Sequence, residues 1–222
     1  MDILKSTVGR KIVMALTGQM MVLFVIAHVL GNSTLFLGSI NAYAAGLHAL
    51  PPLLWAFRSV MVAAIALHVY FGIQLSLENS DARLQDYVRK QDLTATFAGR
   101  NMIWTGSAIG AFLLYHLLHF TFQVIDPATA AAAHPDGLGR PDVFSMVMSA
   151  FRRGGVVALY AAGLAAVWLH LSHGIQSSFQ TWGLNGERSF PFIRRGGPVA
   201  AVLLLIAYAA IPVAIFTGFL LR

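Results

Sequence analysis

Hydrophobic residues follow one another in five long runs along the chain, separated by shorter stretches that contain charged residues, glycine and proline. A helix needs about 20 residues to cross the apolar core of a bilayer. Each run is that long and is flanked by charged or turn residues, so the pattern predicts five membrane-spanning helices, which we number I to V. They are expected at about 12–37, 53–77, 101–125, 155–180 and 198–221.

The longest connection, about 126–153, joins helices III and IV, and its stretch PDVFSMVMSAF favours a short helix along the membrane interface. The first run could be taken for a signal peptide because basic residues precede it. It is longer than the apolar part of a signal peptide, so we expect helix I to be retained. Residues 1–222 are therefore interpreted as one all-α integral membrane domain.

The composition agrees with a membrane protein, because 57% of the residues are hydrophobic and only 11% are charged. Soluble domains carry about 25% charged residues. The chain has no cysteine, which excludes disulfides, cysteine-ligated iron–sulfur clusters and covalent haem attachment. The net charge of +6 comes without a basic helix or an aromatic RNA-binding motif, so nucleic acid is not an expected partner.

Basic residues are unequally divided between the two ends of the predicted helices, and such residues concentrate on the cytoplasmic side of a membrane. Ten are expected at the end that holds the N-terminus: Lys5, Arg10, Lys11, Arg83, Arg89, Lys90, Arg100, Arg188, Arg194 and Arg195. Five are expected at the other end: Arg58, Arg140, Arg152, Arg153 and Arg222. This division predicts a cytoplasmic N-terminus and an outer C-terminus.

The helices contain an internal repeat. Helix I reads TGQMMVLFVIAH over 17–28 and helix III reads TGSAIGAFLLYH over 105–116. Helix II reads HVYFGIQLS over 68–76 and helix IV reads HLSHGIQSS over 170–178. Helices I–II and III–IV are therefore interpreted as two copies of one helical pair, an arrangement that builds symmetric sites in membrane proteins.

The repeat singles out four histidines. His28 corresponds to His116, and His68 corresponds to His170. At a rise of about 1.5 Å per residue, His28 and His116 lie about 25 Å from the inner ends of their helices, and His68 and His170 about 15 Å. Two pairs at two depths are predicted, an outer pair of His28 with His116 and an inner pair of His68 with His170.

Two imidazoles from facing helices at one depth are the ligand set of a six-coordinate haem b. A single histidine in a membrane helix is more often a packing residue than a ligand. Four in repeat-related positions with partners at matching depth favour ligation, since polar groups in membrane interiors are costly. We therefore predict two haems b, an inner and an outer one, held by helices I to IV as a four-helix bundle.

Other residues are expected around these haems. Gly72 and Gly174 follow the inner ligands by one helical turn, where the absence of Cβ lets a porphyrin pack, and Thr17 is expected to face the inner site. Candidate propionate partners or hydrogen-bonding neighbours are Arg58, Arg152, Arg153, His119 and His173. For the arginines, anchoring at the interface is an equal alternative, and for His119 and His173 a packing role is favoured over ligation.

With these features the chain resembles a known family, the di-haem cytochrome b membrane subunit of succinate:quinone oxidoreductases and quinol:fumarate reductases. The resemblance covers nearly the whole chain. It rests on the five helices, the four histidines, the TG…H spacing in helices I and III, LENSDAR after helix II and HGIQSSFQTWG in and after helix IV. In that family the matching histidines ligate two haems, paired between helices I and III and between helices II and IV.

The resemblance implies electron transfer between membrane quinone, menaquinone or another, and an iron–sulfur subunit with a flavoprotein on the cytoplasmic side. The chain would be the quinone-reactive part of such an enzyme in a bacterial cytoplasmic (inner) membrane. It would carry no dicarboxylate site of its own, and a dimer of the whole complex is compatible with this role. The basic loops at 83–100 and 186–195 are the candidate docking surface.

The sequence departs from the family in two places. Some fumarate reductases have a glutamate near the start of helix II, but here no acidic residue occurs between Asp2 and Glu78, and Trp168 stands where some carry a glutamate. The quinone site and the proton path are therefore open. One hypothesis is a quinone pocket at the outer haem, with His48 as proton acceptor and Arg58 orienting a carbonyl or a propionate. The alternatives are that both side chains merely face water and headgroups, or that the pocket is an inner one near Trp182 and His173.

Two alternatives remain. One is a di-haem cytochrome b of another quinone-linked oxidoreductase, of the hydrogenase or formate dehydrogenase type, which would lack the HxxxGIQxS repeat. The other is a haem-free polytopic channel or transporter that uses the histidines as a proton relay.

Overall fold

The computed structural model describes residues 3–81, 96–184 and 186–221. In these ranges the chain is all-helical, and its only β pairing is an isolated bridge between Pro135 and Pro141. The described residues form eight α-helices: α1 Thr7–Ser33, α2 Ile40–His48, α3 Pro51–Asp81, α4 Phe97–Arg100, α5 Met102–His116, α6 Val143–Phe151, α7 Gly154–Thr181 and α8 Phe190–Phe216.

Five helices among the described residues are long and apolar enough to cross a membrane. They are α1, α3, α5 with its π-helical continuation Leu117–Thr121, α7 and α8, which correspond to the predicted helices I to V. The prediction of a multi-pass, all-helical membrane protein is confirmed at this level.

The ends of the spans differ from the sequence prediction by several residues. Helix α1 begins at Thr7 instead of 12, where the Ser6 side chain caps the helix by accepting from the Gly9 amide. Helix α8 begins at Phe190 instead of 198, because Pro191 lies in the first turn, where its missing N–H removes no hydrogen bond. Pro198 lies inside α8, where a membrane helix tolerates it.

Two short helices lie at the end of the molecule opposite the N-terminus. The predicted short helix before helix IV is present as α6, which Asp142 caps by accepting from the Ser145 amide. Helix α2 was not predicted. Asn41 joins the two, because its amide nitrogen donates to Asp142 at 3.0 Å and its oxygen accepts from the Phe144 amide at 2.8 Å.

The spanning helices contact one another in a closed order. Helix α1 packs against α3 and α7, α5 packs against α3 and α7, and α8 covers α7 and touches α1. An ion pair between Arg10 and Glu78 joins the start of α1 to the end of α3. The Tyr208 hydroxyl donates to the Val25 carbonyl at 2.6 Å and joins α8 to α1.

The main buried apolar cluster lies where the far ends of α1 and α8 meet α2, α6 and the start of α7. Its members are Leu35, Ile40, Met148, Phe151, Tyr160, Ile211 and Ile215. The short helices thus close the end of the molecule near the predicted outer pair.

Candidate functional site: two histidine pairs

The four repeat-related histidines meet as two pairs. The ring centroids of His28 on α1 and His116 on α5 are 5.9 Å apart, at an interplanar angle of 87°. Those of His68 on α3 and His170 on α7 are 6.3 Å apart, at 63°. Each pair joins two helices that lie diagonally across the bundle, α1 with α5 and α3 with α7.

The pairs lie at two levels along α1. The inner pair is level with Thr17, whose hydroxyl is 3.3 Å from His68 Nδ1. The outer pair includes His28, eleven residues further along the helix, which is about 16 Å at the rise of an α-helix. The pairing and the order of depth are those expected from the repeat.

The two histidines of the inner pair have equivalent hydrogen-bond partners, one from each copy of the repeat. His68 Nδ1 donates to the Met14 carbonyl at 3.1 Å, next to the Thr17 hydroxyl. His170 Nδ1 lies 3.1 Å from the Thr105 hydroxyl. Thr17 and Thr105 are both buried. The expectation that Thr17 faces the inner site is met, and its repeat counterpart Thr105 does the same on α5.

The outer pair is held by different groups. The Asn32 amide lies 3.2 Å from His28 Nε2, and Tyr208 of α8 lies beside His28 with ring centroids 6.2 Å apart. Phe24 stacks on His28 at 5.3 Å. The last helix, which stands outside the repeat, therefore contributes an aromatic side chain to the outer site.

On the other side of the outer pair, one hydroxyl serves two histidines. Tyr160 OH lies 3.4 Å from His116 Nδ1 and 3.1 Å from His119 Nδ1. His119 is buried, with 4% of its surface exposed, and stacks on Phe120. It lies in the π-helical turn that follows α5. His119 thus shares the Tyr160 hydroxyl with His116.

The distance within each pair is suitable for one metal atom. A metal binds an imidazole nitrogen at about 2.0–2.1 Å and the ring centre lies about 1.1 Å beyond, so two rings on opposite sides of one metal have centroids about 6.3 Å apart. In the described ranges no group of three or more His, Cys, Asp or Glu side chains could hold a metal ion.

Space lies beside the inner pair one helical turn further along. A Cβ built on Gly174 would have no heavy atom within 4 Å, and one on Gly72 only the Met14 sulfur at 3.9 Å. These are the two glycines that the repeat places on the ligand face of helices II and IV. The backbone of both helices is open to close approach at these two positions.

The other predicted outer residues do not converge on the outer pair through described contacts. His48 is exposed at the end of α2, and its Nδ1 donates to the Ala44 carbonyl of the same helix at 2.8 Å. Arg58 lies over the Trp55 ring, 5.1 Å from its centroid. Arg153 forms an ion pair with Asp126 at 2.7 Å, and Arg152 is exposed.

At the inner end, His173 packs against α4, where a Cβ on Gly99 would lie 3.0 Å from its ring. Its Nδ1 is buried without a hydrogen-bond partner among the described residues. Trp182 is exposed. The basic residues Arg188, Arg194 and Arg195 are exposed. Three further predicted docking residues lie outside the described residues: Arg83, Arg89 and Lys90.

Sequence reasoning missed the polar partners of the outer pair, Asn32, Tyr160 and Tyr208, as well as the phenylalanines that surround it. Asn32 lies one turn after His28, a spacing that could have indicated it. The two tyrosines lie in apolar runs, and no sequence spacing links them to the histidines because their contacts are between different helices.

Comparison of the chain with protein-family models, with curated proteins and with solved structures found no match.

Proposed function

We propose that the chain is the di-haem cytochrome b membrane subunit of a succinate:quinone oxidoreductase or quinol:fumarate reductase. In this role it passes electrons between membrane quinone and the iron–sulfur and flavoprotein subunits on the cytoplasmic side. The observation that carries the proposal is the meeting of four repeat-related histidines as two pairs, with ring centroids 5.9 and 6.3 Å apart.

The residues present fit a haem b at each pair. The two imidazoles of each pair would hold the haem iron, and a porphyrin would supply its other four nitrogen ligands. His68 and His170 would hold the inner haem, and His28 and His116 the outer one. The absence of cysteine is compatible with non-covalent haem. When bound, the group supplies reversible one-electron transfer.

The chain's own residues would orient and shield these groups. Thr17 and Thr105 fix the rings of the inner pair, and Tyr160 fixes His116. Phe24, Phe112 and Phe120 surround the outer pair with apolar rings. Such surroundings exclude water and leave a redox couple in a low-polarity environment, which influences its potential.

The quinone and the partner subunits belong to the same proposal. A quinone pocket near the outer haem would use His48 as proton acceptor and Arg58 to orient a carbonyl. The exposed Arg188, Arg194 and Arg195 would contribute to docking the iron–sulfur subunit at the end of the molecule that carries Arg10. That end would face the cytoplasm of a bacterium.

The proposal is tested by counting haems. A pyridine haemochrome assay on the purified protein should give two haems b per chain. His68→Ala or His170→Ala should remove one, and His28→Ala or His116→Ala the other, whereas the loop variant His134→Ala should keep both. A haem-free wild-type protein would refute the proposal and favour the transporter alternative. Loss of a haem in His173→Ala but not in His170→Ala would refute the assignment of ligands.

The partner and quinone parts have their own tests. Purification in mild detergent should co-isolate an iron–sulfur protein and a flavoprotein; isolation of the chain alone with full quinol oxidation would contradict docking. His48→Ala should lose quinol-dependent turnover while keeping both haems. Full turnover of His48→Ala would rule out the role of that histidine.

A further inference from the structure

The Thr-Gly dipeptide at the start of each repeat meets the inner histidine pair. Thr17-Gly18 on α1 contacts His68, and Thr105-Gly106 on α5 contacts His170. We propose that Thr17 and Thr105 are positioning residues, each of which accepts a hydrogen bond from the Nδ1–H of an inner axial histidine and thereby lowers the midpoint potential of the inner haem. This inference rests on the proposed haem function.

The direction of the hydrogen bond is settled at His68. Its Nδ1 lies 3.1 Å from the Met14 carbonyl oxygen, which can only accept. His68 Nδ1 therefore carries the proton. The Thr17 hydroxyl donates to the Val13 carbonyl at 2.8 Å, so its oxygen is free to accept from the same Nδ1–H. The neutral imidazole then has its lone pair on Nε2, the nitrogen left for a metal.

The same arrangement recurs at His170. The Thr105 hydroxyl donates to the Asn101 carbonyl at 3.0 Å, and its oxygen lies 3.1 Å from His170 Nδ1. Its proton is thus engaged in its own helix, as at Thr17. The hydroxyl oxygen is left as acceptor for the imidazole, and Nε2 is again the available ligand atom.

The glycine of each dipeptide lets the helix approach the ring. A Cβ on Gly18 would lie 3.3 Å from His68 Cε1, and one on Gly106 would lie 3.5 Å from His170 Cε1. His68 therefore packs tightly against the α1 backbone beside Thr17, and His170 lies at ordinary contact distance from α5 beside Thr105. In the part of the chain that the structure describes, no threonine hydrogen-bonds the outer pair, and Asn32 and Tyr160 contact its rings instead. Threonine acceptors on both rings distinguish the inner pair.

The chemical consequence follows from the polarity of the hydrogen bond. An acceptor at Nδ1–H increases the electron density and the basicity of Nε2. A more basic axial ligand stabilises ferric over ferrous iron. Two such acceptors act on the inner haem, so removing either one should make that haem easier to reduce.

The test is a spectroscopic redox titration of the two-haem protein. The component that His170→Ala removes is the inner haem. In Thr105→Val, the ratio of reduced to oxidised inner haem at a fixed ambient potential should rise roughly three- to tenfold, since the hydrogen bond to His170 Nδ1 is lost. In Thr17→Val the ratio should rise by less, because His68 Nδ1 keeps the Met14 carbonyl as acceptor. Thr17→Ser and Thr105→Ser should restore the wild-type ratio. The control is Ser107→Ala, an exposed hydroxyl on α5 that donates to its own helix at Ile103.

The results for the valine and serine variants distinguish this inference from the proposed function. An unchanged inner haem in both valine variants overturns this inference and leaves the proposed function intact. A wild-type protein without haem overturns both. If a valine variant loses the inner haem, recovery of haem and potential in the serine variant supports the role of the hydroxyl. Failure of serine to restore them assigns the threonine a packing role and overturns the inference.

Discussion

At the scale of single residues, the Tyr160 hydroxyl joins His116 and His119 in a buried site. Tyr160→Phe keeps the ring but removes the hydroxyl, and it leaves two buried imidazoles without this partner. We expect a loss of about 1–3 kcal/mol in stability, because unsatisfied buried polar groups are costly. Thermal unfolding in detergent measures it, with the exposed Tyr70→Phe as control. Equal melting of the two variants would contradict the prediction.

The Asp136 carboxyl, which lies outside the spans, has a lowered pKa. The Arg140 side chain donates to it at 2.9 Å, and this interaction, followed by backbone donation from Arg140 and Leu138, holds the pKa of Asp136 well below its usual range. A carboxyl whose pKa is lower in the folded than in the unfolded protein stabilises the fold at pH values above its unfolded pKa of about 3.9. This stabilisation is lost as the pH falls towards the pKa of the folded protein.

We therefore predict that the turn around Asp136 stays protected at neutral pH and opens only below about pH 4. The measurement is the hydrogen-exchange protection of the Leu138 and Arg140 amides, corrected for the intrinsic effect of pH. Asp136→Asn should reduce protection at neutral pH and abolish the acid transition. A transition near pH 6 would point to a histidine instead.

At the scale of elements, α5 and α7 approach closely at Gly163. A Cβ there would lie 2.3 Å from the Phe112 ring, close to its attachment to the backbone, where the ring has little freedom to move. Gly163→Ala should force the helices apart and lower stability by about 1–3 kcal/mol, as overpacking does. Thermal unfolding tests this. Gly110→Ala, with no atom near its Cβ, is the matched control and should melt like the wild type.

At the scale of the whole molecule, the ion pair of Arg10 with Glu78 ties the start of α1 to the end of α3. Arg10 is largely buried and also donates to the Lys5 carbonyl at 3.2 Å. Arg10→Glu and Glu78→Arg should each lower the melting temperature, and the double exchange should recover part of the loss, because residues in contact are energetically coupled.

The control for this pair is Lys11→Glu, which changes an exposed neighbour of Arg10 by the same charge. It should melt close to the wild type. Additive losses in the double exchange would show that the two charges act on stability independently.

The five spans could be predicted from the sequence, because the length of an apolar run is a local property that the bilayer thickness sets. Their ends could not be placed to the residue. Helix α8 extends back to Phe190 because Pro191 suits a first helical turn, and α1 stops at Ser33 before a 3-10 turn ending at Gly38, whose φ is 65°. Helix α2 was missed, since its nine residues are too few to stand out in the apolar pattern.

The sequence by itself also determined which histidines correspond to each other, because the internal repeat aligns the first half of the chain with the second. It indicated the partners of His28 and His68 and the inner position of Thr17. Only the tertiary structure decided what touches each ring: Thr105 on His170, Tyr160 between His116 and His119, and Tyr208 from outside the repeat. Contacts between helices depend on how each helix is rotated and how deep it sits, and packing of the whole molecule sets both.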